Sequence, residues 1–98
     1  MLYHSCRLAL TRLRVVVTGR VQGIGFRWFV RESARRLGLS GWVRNRDDGS
    51  VELEAEAGAE ALEAFVAALR TGHPLARVAS LSSETVAATG EQGFEIRR

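Results

Sequence analysis

Between Gly19 and Val30 the chain reads GRVQGIGFRWFV, with Gly23 and Gly25 standing just ahead of Arg27. Glycines let a backbone turn without Cβ clashes and let it approach a ligand closely. If this stretch links a strand to a helix, the amides of Val21, Gln22, Gly23, Ile24, Gly25 and Phe26 lie at the helix's positive end. No carbonyl within the helix can accept from them there. Successive N–H groups in such a loop form a concave nest for an anion. Arg27, in the first helical turn, adds a planar fork of donors, which suits a tetrahedral oxyanion such as phosphate. A glycine turn between strand and helix needs no ligand, however, and a purely structural loop accounts for the same residues. Two nucleotide motifs are excluded: a Walker A loop ends in Gly-Lys-Ser/Thr, where Phe26 and Arg27 follow Gly25, and a Rossmann fingerprint needs a third glycine at Trp28.

Asn45 ends the run SGWVRN, and the two-residue repeat of a strand puts it on one face with Val43, with Trp42 and Arg44 on the other. Asparagine at such a place is commonly a turn former. Beside a bound phosphate it has a second use, because its amide can hold a water in line with phosphorus without strongly deprotonating it. The region holds no His, Cys or Lys and no carboxylate pair at acid–base spacing, so an enzyme built here has no protein nucleophile, strong base or metal cluster. Phosphoryl transfer tolerates that, since it relies on positioning and on stabilising spread-out negative charge. A carboxylate leaving group needs no proton, its pKa lying near about 4. A mixed carboxylic-phosphoric anhydride is such a substrate. His4 and His73 have no partner at metal-ligand spacing and are not assigned to the chemistry.

These residues need elements to hold them. Leu13 to Arg20 is short and β-branched, the pattern of a buried strand. Phe26, Phe29, Val30, Ala34 and Leu37 recur at three- and four-residue spacing ahead of Gly38, which predicts a helix of about three turns. Ser40 to Asn45 reads as a second strand and Asp47 to Ser50 as a tight turn. Val51, Leu53, Ala55 and Ala57 alternate with Glu52, Glu54 and Glu56, predicting a third strand with one face in the core and the other in water. Leu62, Phe65, Val66 and Leu69 predict a second amphipathic helix that Gly72 closes and His73-Pro74 stops. A fourth strand falls within Arg77 to Val86, and GFEIRR supplies a short fifth. The order is that of an α+β, ferredoxin-like split βαβ sandwich (βαββαβ), with two helices on one face of a mostly antiparallel sheet and a core order of 4-1-3-2.

With 98 residues, 46% of them hydrophobic, the chain fits one domain with one core. No apolar run approaches the roughly 18 residues that span a bilayer, so no membrane partner is expected. Cys6 is the only cysteine, which excludes an internal disulfide and fits a reducing cytoplasm. Residues 1–12 are too weak for a secretory signal and read as a loosely ordered extension, or an upstream start, ahead of a domain over 13–98. From Arg12 to Arg46 nine arginines face one acid, Glu32, whereas Asp47 to Glu63 holds seven acids and no arginine. One half favours anions and the other repels them, although solvated faces explain most such charges.

GRVQGIGFR (Gly19 to Arg27) and LGLSGWVRNRDDGSVE (Leu37 to Glu52), at this separation, closely resemble the acylphosphatases, and the likeness runs from about Leu13 to Ile96. The resemblance implies an α/β sandwich that hydrolyses small acyl phosphates to a carboxylate and inorganic phosphate, with no metal or organic cofactor. It makes Arg27 the phosphate-binding arginine and Asn45 the residue that positions the attacking water. It makes the main chain of Val21 to Phe26 the phosphate cradle. Ile24 stands where valine is common, a change of one methylene that leaves the cradle's backbone intact. A monomer acting on a small molecule, with no nucleic acid partner, is the expected form.

Two other functions compete. A ferredoxin-like RNA-binding module is suggested by the arginine-rich first half and by the likeness of GIGFRWFV to an RNP1 motif. Its aromatics would have to project from central strands, whereas Phe26, Trp28 and Phe29 fall at a helix start, and Glu52, Glu54 and Glu56 would repel RNA. Acylphosphatase-like modules also occur within larger maturation enzymes that handle carbamoyl phosphate. The further domains of such enzymes are not expected here.

Overall fold

The computed structural model describes residues 10–98. The chain runs β1 (Thr11–Arg20), α1 (Phe26–Arg36), β2 (Ser40–Asn45), β3 (Val51–Ala57), α2 (Ala59–Thr71), β4 (Arg77–Val86) and β5 (Phe94–Ile96). The sheet order is β4-β1-β3-β2-β5, so the expected core order is present and β5 extends it at the β2 edge. All pairings are antiparallel except β2 with β5.

Both helices bury their apolar stripes against one face of the sheet. Val15 and Val17 of β1, Val43 of β2 and Leu53 of β3 meet Phe26, Val30 and Ala34 of α1 and Phe65 and Leu69 of α2 in one core. The end of α1 is set by paired hydrogen bonds, Leu39 N–H to the Ala34 carbonyl at 2.8 Å and Gly38 N–H to that of Arg35 at 3.2 Å. This Schellman turn sends the chain back into β2, whose far end carries Asn45.

The glutamates of β3 do not face water, contrary to the alternation's simplest reading. Glu52 and Glu56 are 5% and 4% exposed. Glu52 accepts from Arg14 Nε at 2.6 Å and Arg44 Nε at 2.8 Å. Glu54 accepts from Arg12 Nε at 2.6 Å, and Glu56 from Arg12 Nη1 at 3.1 Å and from the Thr89 and Gly90 N–H groups. Strand register explains this, because β3 lies between β1 and β2 and each lays its arginines over the glutamates. The acidic and basic halves of the sequence therefore meet across the sheet's outer face. β1 starts at Thr11, two residues before the expected Leu13, and Arg12 is itself buried. The rest of the expected extension, residues 1–9, lies outside the described residues.

Burial pushes the Glu52 carboxyl up, but hydrogen bonds and charge from Arg44 and Arg14 outweigh it and hold the group below the usual carboxylate range. Glu56 is also held low, first by the Thr89 N–H and then, against burial, by the Gly90 N–H and Arg12. Groups with depressed folded-state pKa values contribute stability above their unfolded pKa, about 4.3 for glutamate, and lose it as pH falls through the folded value. The thermal midpoint should accordingly stay level from about pH 7 to 5 and fall below about pH 4. Glu52→Gln should lower the midpoint at pH 7 by about 5 °C and flatten the acid limb in circular dichroism melts. An acid limb unchanged in that variant would assign it to other carboxylates.

Candidate active site

Residues 21–25 connect β1 to α1. Gly23 and Gly25 have φ of 76° and 77°, and nothing lies within 4 Å of where a Cβ would stand on either. Backbone conformation, not crowding, demands glycine here, since any other side chain is strained in the left-handed region. Gly25 is the N-cap of α1, with no side-chain cap and no acidic residue in the first turn. By contrast α2 carries Glu60 in its first turn. Among the described residues, no main-chain carbonyl accepts from the amides of Val21 to Phe26. The positive end of α1 thus presents donors that the described residues leave unused.

Val21 and Phe26 are buried and pin the loop's two ends into the core, while Ile24 packs against its edge. Arg27 reaches the Arg97 carbonyl only at 3.5 Å, and no carboxylate pairs with it among the described residues. Arg12, Arg14 and Arg44, in the same arginine-rich stretch, are all held by glutamates. Asn45 shares a face with buried Val43, as the alternation predicts, and Trp42 on the opposite face lies under the Arg44 and Arg97 guanidiniums. The Asn45 Oδ1 atom is buried with no hydrogen-bond partner among the described residues. Buried polar atoms nearly always have a partner, from protein or from ordered water.

Both sequence blocks meet at one cleft. Val21, Gly23, Gly25, Phe26, Arg27 and Asn45 line a space of about 200 Å³ that Trp28 and Ile96 complete. A larger hollow of about 520 Å³ lies by the other end of α1, near Arg35 and Phe94, and has none of these donors. Gln22 and Ile24, whose amides were expected to take part, are not among the residues that line the cleft.

The acylphosphatase family model matches residues 13–96. The chain belongs to the acylphosphatase family. It is 49% identical over 88 residues to the acylphosphatase of Salinibacter ruber, covering 89% of this chain and 93% of that one. The Bacillus subtilis acylphosphatase is 44% identical over 88 residues, with 89% and 97% covered. The crystal structure of acylphosphatase from Bacillus subtilis superimposes with a TM-score of 0.87 at 43% identity, covering 90% of this chain and 99% of that chain. An acylphosphatase structure from Coxiella burnetii gives a TM-score of 0.88 at 34% identity, covering 93% and 96%. The protein is therefore an enzyme, an acylphosphatase, on the expected ferredoxin-like α+β fold. Among the described residues no helix is long and apolar enough to cross a membrane.

In this acylphosphatase His73 is a packing residue. Its ring stands edge-on to Phe29 with centroids 5.3 Å apart, and its Nδ1 accepts from the Leu75 N–H at 3.1 Å. His4 lies outside the described residues. Phe26 is buried in the core, and the sheet face that an RNA-binding module would use for stacking carries the arginine–glutamate pairs instead. One side-chain role escaped the sequence reading. The Gln22 side chain donates from Nε2 to the Arg46 and Ser50 carbonyls, both at 2.8 Å, and no spacing rule marks a partner 24 or 28 residues away.

Proposed function

We propose that this enzyme hydrolyses small acyl phosphates by in-line attack of an Asn45-held water on a phosphoryl group cradled by the Val21 to Phe26 amides and Arg27. The observation that carries this reading is the buried, unpartnered Oδ1 of Asn45, on the cleft that the loop and the unpaired Arg27 also line. An unmet acceptor calls for a donor, and a water O–H supplies one while its oxygen lone pair is left for phosphorus. The water oxygen bonds to phosphorus as the bond from phosphorus to the acyl oxygen breaks. The acyl group leaves as a carboxylate, and both protons of the water stay with the inorganic phosphate product, formed as dihydrogen phosphate.

Asn45 therefore need only orient, and no general acid is required because the leaving group is a weak base. Negative charge spreading over the equatorial oxygens falls on donors fixed in advance, which is where positioning and electrostatics act most strongly. A cleft of about 200 Å³ holds a phosphoryl group and little of the acyl chain, which supports loose selectivity for the acyl part. Action as a cytoplasmic monomer, without metal, cofactor or nucleic acid, belongs to the same reading. Purified protein should release phosphate from benzoyl phosphate in excess chelator, with inorganic phosphate a competitive inhibitor. Absence of turnover, or a rate that phosphate leaves untouched, would overturn the proposal.

A further inference from the structure

The two halves of the site come from different places. The cradle lies between β1 and α1, whereas Asn45 ends β2, on the far side of β3 from β1 in the sheet. No side-chain hydrogen bond of its own fixes the Asn45 amide among the described residues, so its placement depends on its backbone and on what its backbone is tied to. That tie is Gln22. Its Nε2 donates at 2.8 Å to the carbonyl of Arg46, the residue next to Asn45, and at 2.8 Å to that of Ser50.

These two carbonyls stand at the mouth of the β2–β3 turn. Ser50 O also accepts from Arg46 N–H at 2.8 Å, and inside the turn Asp48 Oδ1 accepts from the Ser50 N–H and hydroxyl at 2.9 and 2.6 Å. The turn is thus braced within itself, and Gln22 joins that braced unit to the cradle. Glutamine suits the task, since one amide nitrogen carries two protons and each meets a carbonyl. A residue whose main chain sits in the cradle therefore also reaches across with its side chain to hold the other half.

We infer that Gln22 is a positioning residue that sets the distance between Asn45 and the phosphoryl group, acting on the water's alignment and not on phosphate capture. The inference rests on the proposed role of Asn45. Misplacing a reacting group by about 1 Å costs on the order of 100-fold in rate. The amides and Arg27 that capture phosphate lie on Gln22's own loop and on α1, and keep their anchors at Val21 and Phe26 without it.

The test is a double-mutant cycle on the full chain with benzoyl phosphate, using Gln22→Met, which keeps length and removes both donors, Asn45→Ala, and the pair. Gln22→Met should lower kcat by about 10- to 100-fold while the phosphate inhibition constant stays within about threefold. In the Asn45→Ala background it should cost nothing further, a result that a merely structural contribution would not give. Full activity in Gln22→Met, an equal loss in both backgrounds, or a matching rise in the inhibition constant would each overturn the inference. If Asn45→Ala alone keeps full activity, the proposed mechanism fails and this inference with it. If Asn45→Ala is impaired and Gln22→Met is not, only the latch fails. Should Gln22→Met not fold by circular dichroism, Gln22→Asn, one methylene too short for both carbonyls, takes its place in the cycle under the same criteria.

Discussion

Arg27→Ala is expected to lower kcat/KM for benzoyl phosphate by about 1000-fold and to abolish competitive inhibition by phosphate, with the thermal midpoint unchanged. The separation of activity from stability follows from what Arg27 touches. Within the protein it has one long contact to the Arg97 carbonyl and no ion pair among the described residues, so its removal breaks little of the fold. Surface changes of that kind usually stay within about 0.5 kcal/mol. Arg27→Lys should recover only a small part of the lost rate, because an ammonium keeps the charge without the planar fork that meets two oxygens at once. Steady-state kinetics beside melting curves check this. A loss of rate matched by a loss of fold, or an intact rate, would remove Arg27 from the phosphate site.

Asn45→Ala should cost about 100-fold or more in kcat and leave the phosphate inhibition constant and the thermal midpoint nearly unchanged. The small stability effect follows from what the side chain touches. Truncation breaks no hydrogen bond from Oδ1 to the described protein. Asn45→Asp is the sharper variant, because it retains shape but sets a negative charge beside the cradle. It should weaken phosphate inhibition as well as turnover, through repulsion at short range. A lower melting point with full activity in Asn45→Ala would mean that the residue is structural.

The architecture was legible for local reasons. The apolar spacing from Phe26 to Leu37 is helical whatever the chain does elsewhere, and the alternation from Val51 to Ala57 is a strand's. Gly23 and Gly25 marked a turn free of Cβ clashes, and the backbone angles show both in the left-handed region. Less legible was the fate of charge. The alternating glutamates of β3 look like a solvated face, and only the neighbouring strands reveal that arginines cover them. Arg12, assigned from sequence to an extension, is among the largest fully buried side chains of the described protein. The Gln22 latch was invisible because its partners are main-chain carbonyls, which every residue possesses.

By itself the sequence determined the order of the elements, the glycine-bearing loop, and two blocks whose residue types admit phosphate chemistry without a protein nucleophile. Those features depend on side-chain periodicity and on backbone angles within a few residues of one another. Tertiary structure alone decided that Arg27 has no carboxylate partner among the described residues, that the Asn45 acceptor is buried without a described partner on the cleft that Arg27 also lines, and that Gln22 reaches from the loop to the β2–β3 turn. Pairing across strands depends on register, and a hydrogen bond left unmade depends on everything packed around it, so neither is a property of any short stretch of chain.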